Sequence, residues 1–168
     1  MDSRSLRTDG TGQYLISPQN AYNIYGTMVY RLAFARTASR EDADDVTQEV
    51  FLRLLKKKPR FESEEHLRAW LVTVTLNCTR KLFGSAYRRR STELSADIPA
   101  PEREENGVLD AVMSLPSKYR TVIHLHYFEG YSVEEISRLT SVGVNTVKTR
   151  LMRGRTRLRE TLGDEDDV

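Results

Sequence analysis

The chain has 168 residues and a formal net charge of +2 at pH 7, with 39% hydrophobic and 30% charged residues. This balance excludes a disordered chain and predicts a globular protein of one domain or two small ones. No apolar run approaches the roughly 18 residues of a membrane span, and Met1 to Gly12 lacks the apolar stretch of a signal peptide, so we expect no membrane insertion. The single cysteine, Cys78, cannot form an internal disulfide, which favours a cytoplasmic location, and its spacing from Leu71 and Val74 indicates a buried thiol.

The charges are strongly segregated along the chain. Glu41 to Glu49 contains five carboxylates and no cation, whereas Arg53 to Arg60 and Arg80 to Arg90 each contain five cations and no carboxylate. Five carboxylates against one arginine follow in Ser91 to Gly107, and four more in Asp164 to Asp167. Blocks of opposite sign predict separate acidic and basic surfaces, each with its own partner.

Helical periodicity dominates the first 90 residues. Ser17-Pro18 is typical of an N-cap followed by proline at the first helical position. A second helix begins near Arg40 with acidic residues in its first turn and ends at Pro59, and a third runs from Glu64 to Ser85. Their apolar faces predict one small all-helical core. The faces consist of Ala21, Ile24, Tyr25, Met28, Val29 and Leu32; of Ala43, Val46, Val50, Phe51, Leu54 and Leu55; and of Leu67, Trp70, Leu71, Val74, Cys78 and Leu82.

A segment with two prolines, five acidic residues and little apolar content then interrupts the helical pattern, which predicts an extended acidic linker. Beyond it, apolar spacing resumes from Leu109 through Tyr127. The chain is therefore predicted to have two small helical domains. We place an N-terminal tail at 1–16, the first domain at 17–90, the linker at 91–107, the second domain at 108–163 and an acidic tail at 164–168.

The last third of the chain has the pattern of two helices around a short turn. Ser132 to Glu135 is a capping box, in which a hydroxyl and a carboxylate satisfy free N–H groups at a helix start. Thr140 to Gly143 breaks the pattern, and Gly143 is a tolerable cap for the next helix. In that helix Gly154 falls on the apolar face, where a missing side chain allows close approach. Six cations against Glu160 give the helix a net charge of +5. This layout predicts a DNA-binding helix-turn-helix, and a core helix with a solvated basic face is the alternative.

Taken together, these motifs resemble the bacterial extracytoplasmic-function (group 4) sigma factors of the sigma-70 family, over about Tyr22 to Leu162. Asp42 to Leu52 resembles the acidic helix that docks on the clamp helices of the polymerase β′ subunit. Leu67 to Asn77, followed by Arg88 to Arg90, resembles the helix that engages the promoter minus-10 element, and Leu115 to Leu151 includes a pattern similar to the minus-35 reader. The resemblance implies an all-α protein that binds core RNA polymerase (β′ and β subunits) and promoter DNA, promotes DNA opening, and is held by an anti-sigma factor.

The resemblance and the local charges together assign candidate residues to three surfaces. Polymerase binding is expected of Asp45, Gln48, Glu49, Phe51 and Leu52. Minus-10 binding is expected of Arg60, Phe61, Arg68, Asn77, Arg80, Lys81, Arg88 and Arg89, with Phe61 as a wall of a base pocket. Minus-35 base edges are expected to meet Asn145, Thr146, Lys148, Thr149 and Met152, and the DNA backbone to meet Arg150, Arg153, Arg155 and Arg157.

Several residues have a second interpretation. Trp70 is assigned to the core because it shares a stripe with Leu67 and Leu71. Asn77 either bonds a base edge or caps a local turn. His124 and His126, two positions apart on a helix, point in different directions and lack further ligands, which argues against a metal site.

No nucleophile–base arrangement or phosphate-binding glycine loop is present in the sequence, so we expect no enzyme, no cofactor and no metal. The alternative class of protein is a freestanding helix-turn-helix repressor or activator that dimerises through its N-terminal helices. Such a dimer would bind a palindrome without polymerase, whereas a sigma factor needs the core enzyme.

Overall fold

The described part of the chain folds almost entirely into helices. The computed structural model describes residues 7, 8, 10, 12–90 and 107–163, with the backbone alone for 7, 8 and 85–90. Strands β1 (Arg7–Thr8) and β2 (Tyr14–Leu15) pair antiparallel, with Arg7 opposite Leu15. The helices are α1 (Pro18–Thr37), α2 (Arg40–Lys57), α3 (Glu64–Arg90), α4 (Gly107–Ser114), α5 (Ser117–Ile123), which runs into a π-helical turn (His124–Phe128), α6 (Val133–Thr140) and α7 (Val144–Leu162). Within these ranges no helix is long and apolar enough to cross a membrane.

The helix starts follow the local sequence signals. Ser17 caps α1, its hydroxyl accepting from the Asn20 amide at 3.2 Å, and Pro18 takes the first helical position. Ser39 caps α2 in the same way. The capping box at α6 is present in both directions, since Ser132 accepts from the Glu135 amide and the Glu135 carboxylate accepts from the Ser132 amide. These predicted starts are confirmed.

Two boundaries differ from the sequence-based expectation. Part of the predicted N-terminal tail packs on the first domain: Tyr14 is buried, and its amide donates to the Phe61 carbonyl at 2.9 Å. The third helix continues to Arg90 rather than ending at Ser85. No proline lies between these two residues, so nothing removes a backbone donor from the helix there. The predicted linker, apart from Gly107, and the predicted acidic tail lie outside the described residues.

The first core forms where α1 packs across α2 and α3. It contains most of the predicted apolar faces, with Met28, Trp70, Val74 and Leu82 partly buried against it, whereas Leu32 belongs to the second core. Ile24 and Leu55 are exceptions, because their side chains are 43% and 50% exposed. Both were predicted to be core residues, and they lie at the margins of their stripes, where the curvature of a small domain leaves them facing outward. Cys78 is buried, as predicted, and burial raises the pKa of its thiol.

The second core crosses the predicted domain boundary. Leu32 from α1 and Val72 and Leu76 from α3 are fully buried among the apolar side chains of the second domain. Helix α3 is therefore covered on two faces, one by its own domain and one by the other. The buried side chains that the second domain contributes to this core are Leu115, Tyr119, Val122, Ile123, Leu125, Ile136, Val147 and Leu151.

Hydrogen bonds from α5 to the end of α1 also link the two halves. The buried Arg120 guanidinium donates to the carbonyls of Ala35 and Arg36, as well as to those of Met113 and Leu115 near its own helix. The Ser117 hydroxyl donates to the Arg36 carbonyl at 3.2 Å. The last carbonyls of a helix have no donor within the helix, so α5 supplies the hydrogen-bond donors that the end of α1 lacks.

Candidate nucleic-acid and protein interfaces

The turn between α6 and α7 consists of three small residues, Ser141, Val142 and Gly143. Ser141 ends α6 in the left-handed region, with φ of 57°. The Ser137 hydroxyl donates to the Val142 carbonyl at 2.6 Å and closes the turn. Gly143 is the N-cap of α7, as the sequence predicted, and makes no side-chain cap bond. The geometry is a helix-turn-helix in which α7 is the second helix.

Helix α7 presents an apolar face inward and a basic face outward. Val147 and Leu151 are buried against the second core. Gly154 is buried against α5: a Cβ built there would lie 3.0 Å from Ile123 Cγ1 and 3.2 Å from its Cδ1. The predicted close approach at Gly154 is therefore confirmed, and the missing side chain allows α7 to pack closely against α5.

Most predicted minus-35 residues are exposed on the outer side of α7. Thr149 and Arg150 are half-buried, and the Thr149 hydroxyl donates to the Asn145 carbonyl. Arg155 donates to the Tyr127 hydroxyl at 3.0 Å, and the Arg157 guanidinium stacks over the Tyr119 ring at 5.3 Å. The exposed members are Asn145, Thr146, Lys148, Met152, Arg153, Arg155 and Arg157.

The acidic surface on α2 is a single exposed stripe. Asp45, Gln48, Glu49 and Leu52 are all exposed, and their spacing of three and four residues places them on one face. Glu49 pairs with Arg53 at 2.8 Å, and this hydrogen bond lowers the pKa of the Glu49 carboxyl.

Phe51, the fifth predicted polymerase-binding residue, belongs to the core instead. It is 9% exposed, and its ring meets that of Tyr22 edge-on, with the centroids 5.1 Å apart. Helical periodicity explains the difference, because one residue corresponds to about 100° of rotation, so position 51 is turned from Leu52 toward the buried face of α2 that contains Val50 and Leu54. The Tyr22 side chain is 52% exposed and presents an aromatic surface beside Phe51 that was not predicted from the sequence. Its proximity to Phe51 requires α1 to pack on α2, which local sequence does not reveal.

The connector between α2 and α3 combines a buried ring with an exposed cation. Phe61 is 3% exposed and contacts Trp70 and His66 edge-on, with centroids 5.8 and 5.3 Å away. Arg60 is exposed. A cavity of about 720 Å³ lies beside them, lined also by Lys58, by the β2 residues and by Leu54 and Leu55. Phe61 is thus a buried residue that lines a cavity.

Two predicted minus-10 residues are engaged by the second domain. Arg68 donates from Nη2 to both the carbonyl and a carboxylate oxygen of Glu129, at 2.9 and 2.8 Å, and its guanidinium lies over the Tyr131 ring. Arg80 donates to the Thr140 carbonyl at 2.7 Å and to Asn77 Oδ1 at 3.1 Å. In this arrangement the two guanidinium groups bind protein.

The remaining minus-10 residues lie along α3. Asn77 and Lys81 are exposed. Asn77 accepts from Arg80, a role that neither interpretation of the sequence anticipated. Arg88 and Arg89 lie in the last turns of α3, where the side chains fall outside the described part of the chain.

The two histidines are used within the second domain. His124 is buried, with Nε2 3.2 Å from Glu129 Oε1, and His126 Nδ1 lies 2.8 Å from the Tyr131 carbonyl. Burial opposes ionisation of Glu129, but hydrogen bonds from His124 and Arg68 outweigh it and lower the pKa of that carboxyl. Among residues 12–84 and 107–163, no group of three or more histidine, cysteine or carboxylate side chains is arranged to hold a metal ion.

Comparisons with known proteins agree with this geometry. Residues 21–92 match the family Sigma-70 region 2, and residues 106–158 match Sigma-70, region 4. The chain is 31% identical to RNA polymerase sigma factor SigV of Bacillus subtilis, over 82% of this chain and 86% of SigV. It is 29% identical to ECF RNA polymerase sigma factor SigW of the same species, over 84% of this chain and 87% of SigW.

Solved structures share the fold. The sigma factor RpoE from Bartonella quintana, solved in complex with the anti-sigma factor NepR, aligns with a TM-score of 0.65 at 24% identity, over 88% of this chain and 97% of RpoE. CnrH, solved in complex with the cytosolic domain of CnrY, aligns with a TM-score of 0.57 at 22% identity, over 89% of each chain. The chain belongs to the extracytoplasmic-function RNA polymerase sigma factors, the family of transcription initiation factors that directs RNA polymerase to promoters.

Proposed function

We propose that this sigma factor acts in the cytoplasm, bringing core RNA polymerase to promoters by reading a minus-35 element through α7 and a minus-10 element through α3 and the connector that precedes it. The observation that carries the proposal is the exposed basic face of α7 behind a capped helix-turn-helix. A helix of this kind enters the major groove, where its first turns meet base edges and its later cations meet phosphates. Lys148 is exposed in the first turns, and Arg153 and Arg157 are exposed farther along.

Minus-10 recognition is proposed for the connector beside the 720 Å³ cavity. Unpaired bases are held by cations along the backbone and by an apolar or aromatic surface for the ring. Arg60 and Lys58 are exposed at this cavity, and Phe61 lines it. A base turned out of the duplex would enter between them. Lys81, Asn77, Arg88 and Arg89 are proposed to continue the contact along α3.

Polymerase docking is proposed for the α2 stripe of Asp45, Gln48, Glu49 and Leu52, with the exposed ring of Tyr22 as a further apolar surface of the same domain. Exposed carboxylates steer a basic partner helix and set its register, while Leu52 and Tyr22 supply apolar contact. The partner is proposed to be the β′ clamp helices, with the β subunit as a further contact of the second domain.

Domain separation is proposed to accompany promoter binding. Arg68 and Arg80 are occupied by Glu129 and Thr140, so neither guanidinium can reach DNA with these atoms until the second domain moves. We infer domain limits near 17–90 and 108–163, supported by the family matches at 21–92 and 106–158. An anti-sigma factor is proposed as a further partner, since the sigma factor RpoE from Bartonella quintana has been solved in complex with the anti-sigma factor NepR.

Run-off transcription with purified core polymerase tests the proposal. We expect specific transcripts only when the chain is added, and no footprint on the same promoter by the chain alone. A symmetric footprint without polymerase would instead indicate a freestanding dimeric regulator. A sigma factor and a freestanding dimeric regulator therefore give opposite results in this pair of reactions.

Strand opening gives a narrower test of the connector. Arg60→Ala should reduce permanganate reactivity of minus-10 thymines in the holoenzyme complex while leaving initial duplex binding nearly unchanged, because Arg60 is proposed to act on unpaired DNA. Arg31→Ala, an exposed arginine on α1, is the matched control. Wild-type reactivity in Arg60→Ala would remove the connector from the mechanism.

A further inference from the structure

A second cavity, of about 380 Å³, lies in the crevice between the two domains. Four cations line it: Arg36 from α1, Arg80 from α3, Lys118 from α5 and Arg150 from α7. The lining also includes hydroxyl side chains, among them Ser141, and its apolar wall is formed by three aliphatic residues. Two cations thus come from each domain, and they face one space.

No negative charge compensates this cluster within the described side chains. The lining contains no aspartate or glutamate, and none of the four cations forms an ion pair with any residue in 12–84 or 107–163. Arg36 is half-buried and donates to three neutral hydroxyls, those of Thr79, Ser117 and Thr121. Burial, together with the positive charges of Arg80, Arg120 and Arg150, lowers the pKa of Arg36 to about 10.

Such an arrangement costs free energy unless an anion enters. Like charges at close range repel, and a guanidinium removed from water loses hydration that neutral hydroxyls replace only in part. A planar guanidinium offers paired N–H donors that match phosphate oxygens, and ammonium groups add point charge. The cavity volume lies at the lower end of the range of small-ligand sites, roughly 300–1,000 Å³.

We propose that this interdomain crevice binds a small phosphate-bearing anion, with inorganic diphosphate as its simplest representative. Arg36 and Arg80 hold the anion from the first domain, and Lys118 and Arg150 hold it from the second. The anion therefore bridges the two halves and stabilises the arrangement in which Arg68 and Arg80 are turned away from DNA. By linkage, it opposes whatever separates the domains. This last consequence rests on the proposed function, whereas the binding itself does not.

Calorimetric titration of the full chain with inorganic diphosphate tests the proposal. We expect saturable binding that Lys118→Gln and Arg150→Gln each weaken roughly tenfold, the loss expected for one charge-assisted contact. Arg31→Gln removes an exposed cation of α1 outside the crevice and should leave binding unchanged. Melting curves of the variants check folding, and Lys118 is exposed, so its replacement leaves the core intact.

Three outcomes would overturn the proposal. The first is the absence of binding to the wild-type chain. The second is an equal loss in Lys118→Gln and Arg31→Gln, which would mean diffuse attraction of an anion to a basic surface. The third is binding of a single-stranded oligonucleotide, but not of diphosphate, through Lys118, which would assign the crevice to DNA backbone phosphates. Run-off transcription without added diphosphate is scored separately, so failure of the anion site and failure of the proposed function remain distinct.

Discussion

Glu129 links the two domains, and its replacement tests whether the closed arrangement depends on a polar contact. Its carboxylate accepts from Arg68 at 2.8 Å and lies 3.2 Å from His124, and its side chain is 10% exposed. Glu129→Gln preserves the shape and one amide oxygen but removes the charge. Arg68 stays charged, so a charge-assisted hydrogen bond to the amide oxygen can remain, and the change removes the attraction between opposite charges, which for a partly exposed pair amounts to about 1 kcal/mol.

The partial exposure of Arg68 keeps the expected free-energy cost of Glu129→Gln small. The Arg68 side chain is 35% exposed, so water screens the pair. A loss of about 1 kcal/mol shifts the ratio of closed to open molecules by roughly fivefold. The change acts on the contact between domains through Arg68 on α3, and it also alters the contact of Glu129 with His124 inside the second domain.

Amide hydrogen exchange is the assay. The last turn of α1 and helix α6, which both contact the opposite domain, should exchange about fivefold faster in Glu129→Gln than in the wild type. Glu134→Gln is the matched control, since Glu134 is exposed on α6. Unchanged exchange in Glu129→Gln, or equal acceleration in both variants, would refute the argument that this ion pair helps to hold the domains together.

The other predictions concern the docking stripe, the recognition helix and its seating. The double variant Asp45→Lys/Glu49→Lys should bind core polymerase more weakly but melt like the wild type, and unaltered binding would mean that the stripe is not the docking surface. Phe51→Ala should instead lower the free energy of unfolding by about 3 kcal/mol, because the ring is buried. Lys148→Ala should lose ~1–3 kcal/mol of discrimination between bases at one or two minus-35 positions. Arg157→Ala should weaken holoenzyme binding to all sequences and reduce the slope of log affinity against log salt concentration by about one. The reverse pattern in a promoter library would mean that α7 docks in another orientation. Gly154→Ala should reduce stability by about 1 kcal/mol, since crowding against Ile123 exceeds the gain in helix propensity. Adding Ile123→Val should recover part of that loss in urea unfolding, and no recovery would place the cause elsewhere.

Local features of the fold were predictable because their causes are local. Ser17, Ser39 and the Ser132–Glu135 box each satisfy backbone groups within three residues, so a short stretch of sequence contains the whole interaction. Gly154 was recognisable for the same reason, since its position on an apolar stripe already indicates close packing.

Contacts between distant parts of the chain were not predictable in this way. Val72 and Leu76 lie on a face of α3 that carries threonines as well, and their burial requires the second domain to be in place. Tyr127 was expected on an apolar face, but it is 54% exposed because the π-helical turn adds a residue and rotates the positions that follow. In the sequence, Arg68 and Arg80 cannot be distinguished from arginines that bind DNA. Only the fold shows that they donate to Glu129 and Thr140.

The shared core has a consequence for the order in which the chain is made. Residues 12–90 are synthesised before α5, so Leu32, Val72 and Leu76 have no cover when the first three helices form. The carbonyls of Ala35 and Arg36 likewise await Arg120. At about 5–20 residues per second, the 73 residues from Arg90 to Gly163 take roughly 4–15 s to emerge. During that interval the nascent first domain exposes an apolar patch and an incomplete helix end, and it becomes a finished structure only when the second domain arrives.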